Sequence, residues 1–297
     1  VSDGYNIVKT DSKGVYNIVS EKRNGSVFIT LPSGYEAYTT GDDVVPQFWA
    51  HLTAEPTTAE RHDFNLRKVD NNRHVIVAVT DIHLANRLND VEVFTNSFVP
   101  SLTAEIEQYR KQGIPVYSLC LGDSTHEIYW YDYLYDIGDF RKTLADVGYP
   151  TPLFNTMGNH DNDMDKEGDF DAEQVYRDII GPTFYSFNLG QCHYVVLDNT
   201  IYINKNRSRS HDTYVSKEQL DWLEKDLANV HADTPVFICM HSAAFRIKAV
   251  NGEVGKIDIG FAFSNDKYEK RLGNILKGHS NVHILTGDTH INQSFAL

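Results

Sequence analysis

The chain has 297 residues, 41% apolar and 23% charged, with a formal net charge of −14 and a pI near 5.3. That length supports one large domain or two with a well-buried core, and the composition is ordinary for a globular protein. The acidic balance argues against broad contact with nucleic acid or anionic membranes, and no apolar run reaches the 18 residues a membrane-spanning helix needs.

Residues 1 to about 70 read as all-β. "GYNIVKT" (4–10), "GVYNIVS" (14–20) and "SVFITLP" (26–32) are short, rich in β-branched and aromatic residues, and punctuated by turn signals at Asp11-Ser12-Lys13-Gly14 and Pro32-Ser33-Gly34. "HDFNLRKVD" (62–70) alternates apolar and polar, as a half-buried strand does. A small β-sandwich fits, and its opening reads as the middle of a β domain, so a mature or trimmed form is expected. The polar stretch 69–74 marks the boundary, giving expected domains 1–70 and 71–297.

From there the pattern changes. "VIVAVTD" (75–81) is continuously apolar and predicts a strand buried on both faces. A helix is predicted over about 91–112, interrupted or kinked at Pro100. "PVYSLCLGD" (115–123), a helix near 139–147, "PLFNTMGNHD" (152–161) and a helix near 172–180 follow, then the adjacent strands "FYSFNLG" (184–190) and "CHYVVLDN" (192–199). Ser216 with Gln219 is a capping-box signature opening a helix through about Val230. "PVFICMHS" (235–242) and "NVHILTGDTH" (281–290) close the series, and strands alternating with helices mean an α/β domain. Cys120, Cys192 and Cys239 lie in apolar runs and are expected as buried free thiols.

The strand ends carry the chemistry. "VAVTDIH" ends in Asp81 and His83, "SLCLGD" in Asp123, "FNTMGNHD" in Asn159, His160 and Asp161, "FICMHS" in His241, and "HILTGDTH" in Asp288 and His290. Ligands of open α/β sheets bind outside the carboxyl ends of the strands, so these side chains are expected to converge. Clustered carboxylates repel unless a proton or cation neutralises them, and imidazole with carboxylate suits zinc, iron or manganese. So many donors exceed one tetrahedral site and suit two divalent metals with a shared carboxylate.

Asp-x-His (Asp81, His83), Gly-Asp (Gly122, Asp123), Gly-Asn-His-Asp (Gly158 to Asp161), a strand-end His241 and Gly-x-x-His (Gly287 to His290) resemble, in order and spacing, the calcineurin-like metallophosphoesterases over about residues 74–292. The stretch "SDGYNIVKTDSKGVY" resembles the small β-sandwich that precedes the catalytic domain in a bacterial branch of that superfamily. The resemblance implies a four-layer α/β/β/α domain. It also implies two divalent metal ions (manganese, iron, zinc or magnesium) and hydrolysis of a phosphomonoester or phosphodiester. Asp81, His83 and His290 would hold the first metal, Asp123 would bridge, and Asn159 and His241 would hold the second. His160 would face the phosphate and donate to the leaving oxygen, with Asp161 orienting it, and a hydroxide between the metals would attack phosphorus. A secreted or periplasmic setting and a small-molecule or cell-surface phosphoester are implied; that no nucleic-acid partner is expected follows from the acidic balance.

One position departs from the family's usual Gly-His-x-His ending: Asp288 stands where the first of those histidines binds the second metal. A harder oxygen donor there biases that site toward manganese, iron or magnesium, or leaves it weak. That keeps two alternatives open, an inactive relative acting as a binding protein and a metallohydrolase of another bond. His126, three residues past Asp123, and Arg207 and Arg209 in "NKNRSRSH" are candidate substrate contacts, each also readable as a solvated loop residue. The run "IYWYDYLYDIG" (128–138) reads equally as a pocket wall or as packing, and His193 and Asp198 read as structural.

Overall fold

The computed structural model describes residues 1–243, 245–249, 257–261, 266–290 and 294. Four short strands open the chain. Of β1 (Ser26–Phe28), β2 (Tyr35–Ala37), β3 (Trp49–His51) and β4 (Leu66–Lys68), β1 pairs with β3 and β2 with β4, both antiparallel. The strands expected at 4–10 and 14–20 do not form ladders. Only single bridges tie Ser2 to Ile7 and to Phe28. Side-chain oxygens take the amides instead: Asp3 Oδ1 accepts from Tyr5 and Asn6, and Asp11 Oδ1 from Lys13 and Val15. Asx turns of this kind compete directly with a sheet for backbone donors.

The rest of the chain builds two facing sheets. β5 (Val75–Val79) leads into one continuous helical segment: α1 (Asp90–Val93), a π-helical stretch Phe94–Phe98, and α2 (Val99–Arg110). Pro100 does not break this helix. It occupies the first turn of α2, where its missing N–H costs least, and the wider π turn before it relieves the clash of its ring with the preceding carbonyls. β6 (Val116–Cys120), α3 (Glu127–Asp132), α4 (Ile137–Asp146), β7 (Leu153–Asn155), α5 (Asp169–Ala172) and α6 (Gln174–Ile179) follow. Then come β8 (Tyr185–Leu189), β9 (Cys192–Val196), the hairpin β10 (Thr200–Tyr202) with β11 (His211–Thr213), α7 (Lys217–Leu227) and β12 (Val236–Cys239). The antiparallel pair β13 (Phe245–Ala249) and β14 (Ile257–Phe261), α8 (Asp266–Leu276) and β15 (Val282–Leu285) complete the order.

β5-β6-β7 form an all-parallel sheet. β15-β12-β9-β8 form the other, parallel except for β8. Their inner faces meet through stacked rings: Phe154 of β7 lies 3.9 Å from Phe187 of β8, which lies 5.0 Å from Tyr194 of β9. Burying one such ring stabilises by roughly 2–3 kcal/mol. Outside the first sheet, Leu102 and Ile106 of α2 and Phe140 and Leu144 of α4 cover Val116, Cys120 and Leu153. Outside the second, Leu220, Leu223 and Leu227 of α7 and Leu272 of α8 cover Val236 and Ile238. The architecture is the expected α/β/β/α sandwich, preceded by a small all-β unit. That unit shares the core, since Phe28, Leu31 and Phe48 pack in the same cluster as Tyr185 and Phe187.

Two details differ from expectation. Among the described residues β5 lies at the edge of its sheet and is only half buried, with Ala78 exposed, whereas central β6 is buried throughout. The Ser216–Gln219 box is half made: Ser216 Oγ accepts from the Gln219 amide, but the Gln219 side chain bonds the N–H and carbonyl of Asp198 at the end of β9. No helix among the described residues is long and apolar enough to cross a membrane. No disulfide forms: Cys120 and Cys239 are buried free thiols and Cys192 is half buried.

Candidate metal centre

Parallel strands put their carboxyl ends on one edge of a sheet, and here the two facing sheets bring two such edges together. Asp81 follows β5, Asp123 follows β6, Asn159 follows β7, His241 follows β12 and Asp288 follows β15. Ligand atoms of Asp81, His83 and His290 lie within 4.8 Å of one another, as do those of Asp81, Asp123 and His241. His241 Nε2 is 3.2 Å from Asp123 Oδ2, 3.1 Å from Asn159 Oδ1 and 4.0 Å from Asp288 Oδ1. His83 Nε2 is 3.6 Å from Asp123 Oδ2, and His290 Nε2 is 3.2 Å from Asp81 Oδ1.

The backbone accepts strain to do this. Asp81, His83, Asp123, Asp288 and His290 all have φ between 46° and 68°, in the left-handed region that residues other than glycine rarely enter. Such strain persists where the surroundings over-determine it, as at binding and catalytic sites. Close packing supplies that determination. A Cβ on Gly122 would stand 2.5 Å from His241 Nδ1, one on Gly287 1.9 Å from Thr80 Oγ1, and one on Gly158 2.1 Å from Asp123 Oδ1.

The donors fit a cation. His241 Nδ1 donates to the Leu121 carbonyl at 2.7 Å, which fixes the tautomer and aims Nε2 at the oxygens of Asp123 and Asn159. Three acceptors facing one another need a proton or a metal between them. Without a metal the slot takes a proton. Burial opposes charging His241, yet its bond to Asp123 pushes it up to about 9, and the same pairing outweighs burial to hold Asp123 at about 2. Asp81 Oδ1 and His83 Nδ1 are buried with no hydrogen-bond partner; the His290 contact to Asp81 lacks hydrogen-bond geometry. Asp288 and His290 are the open side of the centre, their side chains 39% and 62% exposed.

His160 stands beside this group. Its backbone N–H donates to Asp123 Oδ1 at 2.9 Å, and its ring centroid is 5.3 Å from that of His83. Its Nδ1 donates to Glu127 Oε2 at 2.7 Å. Glu127 is buried at the start of α3. It also lies 2.9 Å from His126 Nδ1, and the His126 and His160 rings stack at 3.9 Å. Burial alone would raise the Glu127 carboxyl, but the two histidines outweigh it and hold it at about 2. In turn Glu127 and Asp123 raise His160 against the effect of burial.

Asp161 has a different neighbourhood from the one expected for it. Fully buried, it accepts from the amides of Gly158, Ser124 and Thr125 and so ties the β7 loop to the β6 loop. Burial and the charge of Asp123 push it up to about 7. Glu127 is not among the residues the sequence singles out, since in "GDSTHE" the motif context points to His126. The available signal was a carboxylate four residues past Asp123, in the loop that follows a strand.

Arg209 Nη1 approaches Glu127 Oε1 to 3.7 Å, and Arg207 pairs with Asp165 at 3.0 Å while lying 4.9 Å over the Tyr131 ring. The aromatic run thus belongs to the rim of the site as well as to packing: Trp130 is buried and Tyr131 exposed. His193 is structural, held between Asn188 and Asp226. Asp198 joins Asp169 and Glu173 in a separate carboxylate group at the base of α6.

A family model described as calcineurin-like phosphoesterase matches residues 74–292, and one described as the N terminal of calcineurin-like phosphoesterase matches residues 1–69. No curated protein matches the chain. Among solved structures, one described as "Structure of PhoD" aligns with a TM-score of 0.45 and 14% identity, covering 77% of this chain and 54% of its own. The chain therefore spans about half the length of that relative. With the catalytic-domain match running through every strand end described above, the chain belongs to the calcineurin-like phosphoesterase family, whose members are metal-dependent.

Proposed function

We propose that the protein hydrolyses a phosphomonoester or phosphodiester at a centre of two divalent metals. The observation that carries this reading is the convergence of acceptors around His241 Nε2, with His160 beside them. Asp81, His83 and His290 would hold one metal, Asn159, His241 and Asp288 the other, with Asp123 shared. When bound, the metals would supply a nucleophile from water at neutral pH and neutralise phosphoryl charge. His160, its Nδ1 engaged by Glu127, would present Nε2–H to the leaving oxygen, and Arg209 and His126 would flank the phosphate. Asp161 contributes by holding the two loops in register.

The test is elemental mass spectrometry after manganese loading and desalting, alongside hydrolysis of p-nitrophenyl phosphate and bis-p-nitrophenyl phosphate. Near two metals per chain with metal-dependent turnover is expected. Asp288→His should retain the second metal more tightly. No metal and no turnover after loading would sink the reading.

Glu127→Gln should lower kcat about 10- to 100-fold, the usual effect of removing a partner that orients a site group. The sign of its pH effect follows from the pairing. Glu127 raises His160, so its removal lowers the pH at which His160 loses its proton, and the alkaline limb of the rate profile moves to lower pH. An unmoved limb would count against His160 as the proton donor.

A further inference from the structure

We propose that the substrate of this site is a phosphomonoester and that Arg209, held in place by Asn204, selects it over a diester; this deepens the phosphoesterase reading and rests on it. A phosphomonoester carries three non-bridging oxygens and a charge of about −1.5 to −2 at neutral pH. A diester carries two such oxygens, a single negative charge and a second ester group. Choosing the monoester therefore takes a cationic donor for the third oxygen, set where the second group of a diester would otherwise go.

Arg209 is such a donor. Its Nη1 lies 3.7 Å from Glu127 Oε1, too far for a hydrogen bond, and its side chain is 37% exposed, which leaves the planar N–H fork open to a ligand. The acids around it are already engaged: Glu127 is shared with His126 and His160 through Oε2, Asp165 pairs with Arg207, and Asp163 accepts from the Tyr131 hydroxyl. Arg209 faces His160 across Glu127, so an anion beside His160 comes within its reach. A second free donor lies close by. Tyr202 is 1% exposed and its hydroxyl has no hydrogen-bond partner among the described residues, while the charges of Glu127, Arg209 and Asp163 all act on it. Burial and the charge of Glu127 raise its pKa, so it remains a donor. A buried donor left unpaired beside a guanidinium matches the oxygen of an anion.

Asn204 fixes where this arginine sits. It is 3% exposed. Its Nδ2 donates to the carbonyls of Met164 and Lys166, each at 2.8 Å, and its Oδ1 accepts from the Arg209 amide at 2.9 Å. The β10–β11 loop is thereby clamped to the β7 loop, which carries Asn159 and His160. The clamped loop has a costly shape: Arg207 and Arg209 have φ of 59° and 56°, in the left-handed region. Arg207 is taken, pairing with Asp165 at 3.0 Å and lying 4.9 Å over the Tyr131 ring, so Arg209 is the arginine of this loop that serves the anion. A guanidinium binds two phosphate oxygens side by side, and an uncharged ester group in the same place would leave it unpaired.

The experiment pairs turnover with binding on the manganese-loaded protein: kcat/KM for p-nitrophenyl phosphate and bis-p-nitrophenyl phosphate, and calorimetric titration with inorganic phosphate and dimethyl phosphate. Wild type is expected to favour the monoester and to bind inorganic phosphate more tightly than dimethyl phosphate. Arg209→Ala should weaken phosphate binding about 10- to 100-fold, the range for a hydrogen bond to a charged group, and lower the monoester-to-diester ratio of kcat/KM about tenfold. Asn204→Ala should lower the same ratio, and Asn204→Ala/Arg209→Ala should lower it no further than Arg209→Ala alone, because Asn204 acts by positioning Arg209. Tyr202→Phe should weaken phosphate binding about three- to tenfold without a fall in melting temperature. Wild type that favours the diester, or an Arg209→Ala loss shared equally by monoester and diester, would overturn the proposal, and additive losses in the double variant would overturn the positioning role of Asn204. Phosphate binding that depends on Arg209, without turnover of either ester, would defeat the phosphoesterase reading while upholding the selection of the dianion.

Discussion

Asp123→Asn is expected to empty the metal centre and lower kcat/KM at least about 10³-fold, since the metals supply several kcal/mol of charge stabilisation and each 1.4 kcal/mol is a factor of ten. The substitution is nearly isosteric. Its amide oxygen can still accept from the His160 N–H, now 2.9 Å from Asp123 Oδ1, so the loop should keep its shape. What is lost is the negative charge that faces both His83 and His241. The metal-free protein offers an independent readout: Asp123 holds His241 up to about 9, so in the variant that histidine should titrate at lower pH by NMR. Two metals per chain retained, or turnover within tenfold of wild type, would contradict the shared role of Asp123.

Gly158→Ala should be almost as damaging while removing no functional group. Its Cβ would lie 2.1 Å from Asp123 Oδ1 and 2.3 Å from Asp123 N, and the second of these is backbone and cannot swing aside. One of the two loops must move, breaking the bond from the Gly158 amide to Asp161. Displacements of about 1 Å at a reaction centre cost on the order of 10²-fold in rate, and overpacking costs about 1–3 kcal/mol in stability. Gly273→Ala in α8, where a Cβ meets nothing within 4 Å, is the control and should be neutral or stabilising. Wild-type turnover in Gly158→Ala would mean that the junction of the β6 and β7 loops does not set the geometry of Asp123.

The α/β class and the location of the chemistry were legible in the residue pattern for one reason, whereas the four-layer arrangement came only from the family resemblance. A buried parallel strand is a continuous apolar run, and "SLCLGD", "FNTMGNHD" and "FICMHS" each stop abruptly in a ligand type. The carboxyl ends of parallel strands share an edge, so the order of the motifs already implied a meeting point.

Other features were decided in three dimensions. The first twenty residues have strand composition, but Asp3 and Asp11 capture the amides a ladder would use. Pro100 is tolerated because a π turn precedes it. β5 reads as buried on both faces and, among the described residues, lies at an edge, since composition reports apolarity and not the number of neighbours. Glu127 became visible as the partner of His160 only through the turn that opens α3. Strand ends, glycines and ligand types are local properties written in residue order. Which carboxylate faces His160 and how His241 is aimed depend on contacts between segments far apart in the chain, and only packing specifies those.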